Sequence, residues 1–249
     1  MTSSDSNVAS QLIDAAKQLS DEVDAMTFSE PVTHVYNPLD YAWEAHQAYL
    51  SLVGDRGSSV IFLGMNPGPW GMAQTGVPFG EIAAARDFLG INVPVRRPEN
   101  EHPKRPVTGF ECPRSEVSGR RLWGLFQEKY KTSKKFFAKH FISNYCPLVF
   151  MEESARNRTP DKLPAEEREL LNEACDRHLQ TILGILNPKH VVGVGVYAEK
   201  CLQRALDQTG HKAKLSRILH PSPASPAANK DWSGKVTKQL TEAGIWRAK

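Results

Sequence analysis

The sequence predicts an α/β fold, a three-layer α/β/α arrangement around a central parallel sheet of four strands. Three observations predict it. Short apolar segments bounded by breakers recur along the chain, amphipathic helical patterns lie between them, and the 249 residues are enough for one large α/β domain. Strands that alternate with helices form a parallel sheet covered on both faces, so we expect residues 1–249 to form a single domain of this kind.

The four predicted strands are rich in β-branched and other apolar residues and are flanked by breakers. They are "SVIFLG" (59–64), "FISNYC" (141–146), "HVVGVG" (190–195) and "LSRILH" (215–220).

Five segments have the apolar spacing of amphipathic helices. Residues 37–53 begin on an asparagine cap, residues 118–130 begin on a serine cap, and residues 164–186 carry acidic residues in their first turn. Residues 197–208 and 232–245 complete the set.

Two further segments lie outside this alternation. Residues 1–28 are acidic and are expected to add an outer helix as an N-terminal extension. Residues 90–117 contain five prolines and scattered charges, which predicts a long irregular insertion. Insertions of that length inside a compact domain are often functional.

Composition restricts the class of protein. The chain is 40% hydrophobic and 24% charged, as in soluble globular proteins, and no apolar run approaches the roughly 18 residues of a membrane span. The first 30 residues lack an apolar signal core, so we expect an intracellular protein. The four cysteines form no C-x-x-C pair, which disfavours a disulfide framework, a zinc site and an iron–sulfur site.

The net charge of +3 conceals an uneven distribution. Residues 1–30 hold six acids and one base, whereas residues 96–140 hold twelve Lys or Arg and five acids, with aromatic residues interleaved. Such a run forms a solvated face in most proteins. A concentrated positive patch on a nearly neutral protein also favours a polyanionic partner, and both interpretations stay open at this point.

Three polar residues are predicted to meet at one edge of the sheet. Asn66 lies just past the first predicted strand, Asn144 lies late in the second, and His220 closes the fourth. Ligands of open parallel sheets bind outside the carboxyl ends of the strands. The sequence therefore predicts a site that contains these three side chains.

Other motifs are weaker. "GVGVYA" (193–198) fits the dinucleotide pattern G-x-G-x-x-G/A, but it falls on the third predicted strand and has no acid about twenty residues on. We interpret it as a tight strand-to-helix turn. A nucleotide-dependent oxidoreductase would be the alternative. The chain has no H-x-E with C-x-x-C of a zinc deaminase, no G-x-S-x-G and no phosphate-binding G-x-x-x-x-G-K-[ST].

Three segments carry a resemblance to a known family. "GMNPGPWGMAQTGVPFGE" (64–81), "NYCPLVFM" (144–151) and "HPSPASPAANK" (220–230) resemble the signature segments of the single-strand-selective monofunctional uracil-DNA glycosylases. The resemblance runs from about residue 30 to residue 245 and is most specific over the eighteen residues of the first segment. It implies a uracil-DNA glycosylase-like fold.

The resemblance also implies an activity: hydrolysis of the N-glycosidic bond of uracil and 5-hydroxymethyluracil in single- and double-stranded DNA, after the base is rotated out of the stack. Asn66 matches the residue that positions the attacking water, since an amide cannot act as a general base. His220 matches the residue that hydrogen-bonds uracil O2 as negative charge develops there. The loop around Asn66 has no carboxylate, which suits a dissociative mechanism.

Further residues match the family's base pocket. Asn144 matches the residue that reads O4 and N3–H of uracil, which requires its carboxamide to be held in one orientation. Phe79 matches the stacking ring, and a core phenylalanine is its alternative. Gly71 and Met72 match the segment beside uracil C5, where a small residue leaves room for a hydroxymethyl group, and Gly68 would let the backbone approach the substrate.

The proline-rich loop matches the family's intercalating wedge, which fills the gap left by the flipped base. Its residues are Pro221, Ser222, Pro223, Ala224, Ser225 and Pro226. The resemblance departs at Ala224, where vertebrate members carry an arginine, and this puts wedge strength and duplex affinity in doubt. Candidates for phosphate contact are Arg114, Arg120, Arg121, Lys134 and Lys135.

The resemblance implies no metal, no cofactor and no active-site lysine, so no Schiff base with the sugar is expected. The partner would be uracil-containing DNA, the protein a monomer, and its location that of the genome: nucleoid or cytoplasm in a bacterium, nucleus in a eukaryote. A catalytically silent module that binds damaged or single-stranded DNA stays open as the alternative from another class.

Overall fold

The computed structural model describes residues 7–55 and 57–247. Within these ranges the strands form two sheets, one parallel and one antiparallel. The strands are β1 (Val32–Tyr36), β2 (Val60–Gly64), β3 (His140–Asn144), β4 (Val149–Glu152), β5 (Asn157–Arg158), β6 (His190–Val194) and β7 (Lys214–Ile218). The α-helices are α1 (Val8–Asp24), α2 (Pro38–Tyr41), α3 (Trp43–Leu50), α4 (Met72–Thr75), α5 (Val117–Tyr130), α6 (Ser133–Phe137), α7 (Ala165–Leu186), α8 (Val196–Thr209) and α9 (Trp232–Glu242).

The central sheet has the order β3-β2-β6-β7, and all its strands are parallel. These are the four strands predicted from sequence, each shifted by no more than two residues at either end. Every residue of β2 and β3 is buried, which explains why both read as unbroken apolar runs rather than alternating patterns. The predicted α/β class with a four-stranded parallel sheet is confirmed.

Helices cover both faces of this sheet. The chain passes from β2 to β3 through α5 and α6, then crosses to β6 through α7 and to β7 through α8. Because the first crossover runs in the opposite direction along the sheet from the other two, right-handed connections place α5 and α7–α8 on opposite faces. α9 packs against α5, and α1 packs against α7 as an outer helix. Three layers result.

The second sheet was not predicted from sequence. It has the antiparallel order β1-β4-β5, with Phe150 opposite Arg158 and Tyr36 opposite Val149. β1 is only partly buried and β5 has two residues, so neither leaves a continuous apolar run in the sequence. Its position still matters, because β4 begins five residues after the end of β3, at the edge where the site lies.

Two helix predictions need correction. Residues 37–53 form two helices, α2 and α3, although the predicted asparagine cap is present: Asn37 Oδ1 accepts from the N–H of Leu39 at 3.1 Å. The predicted serine cap of α5 is wrong. That helix begins at Val117, its N-cap is Glu116 in an extended conformation, and no side chain caps it.

The insertion contains little regular structure. Between residue 90 and the start of α5, one 3₁₀ turn at Gly109–Glu111 is present. Gln74 ties this segment to the loop after β2: its Nε2 donates to Pro106 O at 3.0 Å and its Oε1 accepts from the N–H of Thr108 at 2.9 Å. The acidic extension forms α1, and residues 1–6 of that prediction lie outside the described residues.

No helix in the described ranges has both the length and the apolarity to cross a bilayer.

Candidate active site

A cavity of about 250 Å³ opens at the carboxyl edge of the central sheet. The predicted residues Asn66, Asn144, Phe79, Met72 and Gly68 all line it together with His220. The remaining lining residues are Met65, Pro67, Glu116, Ser118, Asn157, Thr159 and Ser222. The structure therefore brings together side chains that lie up to 157 positions apart in the chain, from Met65 to Ser222.

Asn66 follows β2 by two residues. Its Nδ2 donates to the carbonyl oxygen of Leu148 at 3.1 Å, in the connection between β3 and β4. The backbones on either side are also joined, because the N–H of Cys146 donates to Met65 O at 2.9 Å. With the amide nitrogen held in this way, Oδ1 is left as an acceptor at the cavity, where it can orient a water molecule.

Asn144 is the last residue of β3, and 7% of it is exposed. Its Nδ2 lies 3.3 Å from the thioether sulfur of Met72. A thioether accepts hydrogen bonds and cannot donate them, so this contact favours the amide orientation in which NH₂ faces the sulfur. The second N–H and Oδ1 are then a donor–acceptor pair, complementary to O4 and N3–H of uracil.

Phe79 has a left-handed backbone, with φ of 54°. This conformation is strained for an aromatic residue, and such strain clusters at functional sites. A Cβ atom built on Gly64 would lie 2.6 Å from the ring of Phe79 and would collide with Asn144 Oδ1. The ring and the carboxamide therefore lie side by side, over a residue that has no side chain to separate them.

His220 lies two residues beyond the end of β7 rather than in the strand as predicted. Its Nδ1 accepts from the N–H of Ser222 at 3.1 Å, so the neutral ring carries its proton on Nε2. Burial lowers the pKa of His220 below its usual value. At neutral pH the site therefore presents an uncharged Nε2–H donor.

The turn predicted from "GVGVYA" holds this imidazole in place. Gly195 alone separates β6 from α8, and its φ of 91° is open mainly to glycine. A Cβ atom on Gly195 would lie 3.2 Å from Cβ and Cδ2 of His220, so the turn packs directly on the ring. The segment is a tight strand-to-helix turn, in agreement with the prediction.

Glu116 is the residue of the cavity that sequence reasoning missed. It precedes α5, and the buried atom Oε2 has no hydrogen-bond partner among the described residues. Burial raises the pKa of Glu116 to about 7, the nearby N–H of Gly119 opposes the shift and the charge of Glu81 adds to it. The loop after β2, residues 65–80, has no carboxylate of its own, but the folded cavity contains one.

The same carboxyl group explains why residues 68 and 71 are glycines, and this explanation differs from the predicted one. A Cβ atom on Gly68 would lie 2.8 Å from Glu116 Oε1, and one on Gly71 would lie 2.5 Å from its carboxyl carbon. The room beside these glycines is occupied by Glu116. Glutamate is not a usual N-cap residue and the sequence placed the helix start at Ser118, so no local pattern singled out Glu116.

The proline-rich loop borders the cavity through Ser222, and Pro223, Ala224 and Pro226 are exposed. Arg121 of α5 holds the loop at both ends: Nη1 donates to Pro221 O at 2.8 Å and Nη2 to Asn229 Oδ1 at 3.1 Å. The guanidinium of Arg121 is thus bonded to the loop, and its predicted phosphate contact stays a prediction.

The other basic candidates divide into two groups. Arg114 lies over the ring of Trp70, 4.6 Å from its centroid, and Arg120 is exposed on the first turn of α5; in the chain the two flank Glu116 and Ser118, which line the cavity. Lys134 and Lys135 lie on α6, which leads into the amino end of β3. The cavity is at the carboxyl ends, so the structure does not bring these two lysines to it.

Five further lining residues were not predicted as site residues: Met65, Pro67, Ser118, Asn157 and Thr159. The last two are brought to the cavity by the second sheet, which was itself unpredicted. Asn157 Oδ1 is buried and, within the described ranges, lacks a hydrogen-bond partner. In those ranges no three His, Cys, Asp or Glu side chains form a group that could hold a metal ion.

The chain matches known proteins over most of its length. The family model described as "Uracil DNA glycosylase superfamily" matches residues 52–242. The chain is 49% identical over 228 residues to the single-strand selective monofunctional uracil DNA glycosylase of Bos taurus, covering 92% of this chain and 84% of that protein. It is 46% identical over 239 residues to the protein of the same description from Mus musculus, covering 96% and 86%.

The fold also matches a solved structure. The crystal structure of wild-type SMUG2 from Pedobacter heparinus superposes with a TM-score of 0.67 at 16% identity, covering 92% of this chain and 96% of that one. This likeness concerns the fold. The sequence matches carry the assignment further: the chain belongs to the uracil-DNA glycosylase superfamily and, within it, to the single-strand selective monofunctional uracil-DNA glycosylases.

Proposed function

We propose that this protein is a monofunctional DNA glycosylase that releases uracil and 5-hydroxymethyluracil from single- and double-stranded DNA by hydrolysis. The observation that carries the proposal is the convergence of Asn66, Asn144, Phe79 and His220 in one cavity. Together they offer a water-orienting acceptor, a base-reading amide, a stacking ring and a donor for the leaving group. Family membership supports the same reaction.

In the proposed reaction the bond between N1 of uracil and C1′ of the sugar breaks, and its electron pair leaves with the base. Water held by Asn66 Oδ1 attacks C1′ and loses a proton to solvent or to the released base. Asn66 cannot accept that proton, so its contribution is orientation of the water. A carbon that already carries positive charge does not need a strongly activated nucleophile.

His220 would stabilise the negative charge that develops on the departing base. The N–H of Ser222 fixes the proton on Nε2, which can then donate to O2 of uracil. Removal of one such donor costs about 10²–10³ in rate in comparable sites. The donor is uncharged and oriented before the substrate arrives, so it needs no rearrangement as charge builds up.

Base selection would follow from Asn144. Its NH₂ group, held against the sulfur of Met72, would donate to O4, and its Oδ1 would accept from N3–H. Cytosine presents the opposite pattern and would leave buried polar groups unpaired, at a cost of about 1–3 kcal/mol. Phe79 would stack on either base without distinguishing them.

The loop from Pro221 to Pro226 would enter the duplex beside the flipped nucleotide. Three prolines stiffen it and Arg121 anchors both of its ends. Arg114 and Arg120 would contact backbone phosphates. We further propose that the protein acts as a monomer, without metal or cofactor, in the compartment that holds the genome.

The test is incubation of the protein with a labelled uracil-containing oligonucleotide in EDTA, followed by alkali. The expected result is strand cleavage that depends on both protein and alkali, with free uracil released. Binding without release of uracil would instead indicate a catalytically silent DNA-binding module and would refute the proposal. Borohydride is expected to trap no covalent complex, and a trapped complex would refute a monofunctional reaction.

Two substitutions test the roles. Asn66→Ala and His220→Ala are each expected to lower kcat by about 10²-fold or more while DNA affinity is retained. His211→Ala is the matched control, because His211 lies beyond the end of α8 and bonds to Asn187 rather than to the cavity. Rates near that of the control would overturn the assignments.

A further inference from the structure

A second cavity lies at the opposite edge of the central sheet from the active site. It has a volume of about 580 Å³ and is here called the amino-edge pocket. Its lining comes from the amino ends of β2, β3 and β6, the end of α5 and the last described residues of the chain. The lining residues are Ser59, Val60, Lys129, Tyr130, Lys139, His140, Lys189, His190, Gly244, Ile245, Trp246 and Arg247.

Positive charge is concentrated in the amino-edge pocket. Four of its lining side chains are cations and none is an acid. The four cations are exposed, and among the described residues none of them forms an ion pair, whereas Arg158 pairs with Glu152 elsewhere. They are Lys129, Lys139, Lys189 and Arg247. Because separate parts of the chain bring these charges into one concave surface, the pocket favours an anionic ligand over a simple solvated face.

Helix ends neutralise only part of this charge. Tyr130 ends α5, and Lys189 follows the end of α7 by three residues, so both helices point their carboxyl ends toward the pocket. Each such end carries about half a negative charge, which gives about one negative charge for the two helices. The four cations exceed this about fourfold, so most of the positive charge is left uncompensated.

The aromatic floor of the pocket offers no free donor of its own. Nδ1 of His140 lies 3.1 Å from Phe136 O, and a carbonyl only accepts, so Nδ1 carries the proton of the neutral ring. Nε2 then accepts from the hydroxyl of Tyr130 at 3.0 Å, and that hydroxyl accepts from Nε1 of Trp246 at 2.9 Å. Lys129 lies over the ring of Trp246, 4.9 Å from its centroid. A ligand would therefore meet the cations and not these rings.

The two imidazoles of the pocket also indicate a positive local potential. Burial lowers the pKa of His140 to about 4, the carbonyl of its own turn opposes the shift, and the charge of Lys139 adds to it. Burial, Lys214 and Lys189 lower the pKa of His190. The charged groups that shift both rings are lysines, so the imidazoles stay neutral and the lysines remain available to an anion.

The basic stretch seen in the sequence reaches this edge of the molecule. Lys134 and Lys135 are exposed on α6, which ends two residues before Lys139. None of these three lysines lines the active-site cavity. The part of the basic stretch that the proposed reaction leaves unused therefore extends the amino-edge pocket.

DNA that holds a target base in the active site does not reach this pocket. Val60 begins β2 and lines the pocket, whereas Met65 directly follows β2 and lines the active-site cavity. Five residues of extended chain span about 16 Å. The two openings lie at opposite edges of the sheet, so one duplex would have to reverse its direction to enter both. Bends of about 40–90° are already costly in stiff DNA.

We propose that the amino-edge pocket binds the phosphate backbone of a second DNA segment, so that one molecule of the protein holds two segments at once. The choice of DNA rests on the proposed glycosylase function, whereas the preference for a polyanion rests on the pocket alone. Contacts between lysine and phosphate read no sequence, and their strength comes from the release of counterions. A protein that holds two segments can pass from one to the other without first entering free solution.

The experiment uses two uracil-free duplexes of about 12 base pairs, little more than one helical turn, one with a donor and one with an acceptor fluorophore. Energy transfer on addition of protein reports that both duplexes are held together. The double variant Lys139→Gln, Lys189→Gln is compared with the unchanged protein. The matched control, Lys17→Gln with Lys200→Gln, removes the same charge from exposed positions on α1 and α8 that line neither cavity. Uracil release from a single-stranded oligonucleotide and the oligomeric state are measured for each protein.

The unchanged protein and the control are expected to give energy transfer at about 50 mM salt and to lose it by about 200 mM. In the double variant, affinity for the second duplex should fall by about tenfold or more, and the slope of log K against log salt should decrease by about two. Uracil release by the double variant should stay within about twofold of the unchanged protein, because neither lysine lies at the active site.

Three results would overturn the inference. The first is no energy transfer from the unchanged protein under conditions where it binds either duplex, and binding of poly-glutamate in its place would identify an acidic protein segment as the occupant. The second is an equal loss in the control, which would show that net charge alone matters. The third is transfer that persists in the double variant, which would indicate bridging by a protein dimer. Failure to release uracil would instead refute the proposed function, and energy transfer would still report on the pocket.

Discussion

Glu116 illustrates at the scale of one residue how a site can work against stability. A glutamate has a pKa of about 4.3 in an unfolded chain, and burial raises the pKa of Glu116 to about 7 in the folded protein. The folded state therefore binds more protons than the unfolded state between these two values, and stability falls as pH rises through that window. Above it the full cost, about 4 kcal/mol, is present.

Replacement of this carboxyl group should stabilise the protein at high pH. Glu116→Gln is expected to raise the free energy of unfolding by roughly 2 kcal/mol more at pH 8 than at pH 5, because the amide has no charge to bury. Urea unfolding at both pH values measures the difference, with Glu111→Gln as control. An equal effect at both pH values would show that the pKa of Glu116 is the same in the folded and the unfolded protein.

Met72 provides a second prediction at this scale. Its sulfur is the acceptor that orients the NH₂ group of Asn144, so Met72→Leu keeps the volume of the side chain but removes that preference. We expect kcat/KM for uracil to fall roughly threefold to tenfold, equivalent to about 1 kcal/mol. Met65→Leu is the control, since Met65 lines the same cavity without contacting Asn144 through its sulfur.

An unchanged rate in Met72→Leu would mean that other neighbours hold the amide of Asn144 in place.

At the scale of elements, the proline-rich loop depends on α5. Arg121 bonds to Pro221 and Asn229 at the two ends of the loop, and Asn229 in turn donates to Pro223 O at 2.9 Å. Proline content alone stiffens the loop, but these bonds fix its direction relative to the cavity. A loop fixed in this way can enter a duplex without first losing conformational freedom.

Arg121→Gln should therefore affect duplex and single-stranded substrates differently. In the proposed reaction only the duplex requires the loop to fill a gap in a base stack, so the duplex to single-strand ratio of kcat/KM is expected to fall by about threefold to tenfold. Arg120→Gln is the matched control: it removes the same charge one residue away from an exposed position. An equal fall of this ratio in both variants would show that the loss of positive charge, and not the loss of the bonds to the loop, causes it.

The insertion between residue 90 and α5 acts at the same scale. Gln74 joins it to the loop after β2, and Arg105 and Arg114 of the insertion both lie over the ring of Trp70 in that loop. An irregular segment is thereby fixed next to the site. Its last residues deliver Glu116 to the cavity wall.

At the scale of the whole molecule, all four cysteines are buried in the layers around the sheet. Burial raises the pKa of the Cys175 thiol, and it raises the pKa of the Cys201 thiol to about 12. A buried, protonated thiol is a poor nucleophile. Opening of the core is then the step that limits thiol modification.

We expect the native protein to react slowly with a thiol reagent such as DTNB and all four thiols to react in denaturant. Because the cysteines lie far apart in the chain, a single slow phase for the native protein would indicate cooperative unfolding of one domain. Rapid reaction of one thiol before the others would show that the part of the molecule around it opens independently.

The sequence predicted most of the fold for a physical reason. Strands such as β2 and β3 are buried along their whole length, and a buried strand leaves a continuous apolar run that can be seen without a partner. β1 is only partly buried and β5 has two residues, so neither leaves such a run, and their place is set by pairing with β4. Residues 157 and 159 reach the cavity through that pairing, so they could not be predicted.

By itself, the sequence determined the parallel sheet, the edge at which the site lies and the identity of Asn66, Asn144, Phe79 and His220, because local patterns and motif segments encode them. Only the tertiary structure decided which side chains from other elements contact these segments. The contact of Met72 with Asn144, the bonds of Arg121 to the loop and the carboxyl group of Glu116 against Gly68 and Gly71 join residues from different elements. Burial and unpaired atoms are properties of the packed chain, and no window of sequence contains them.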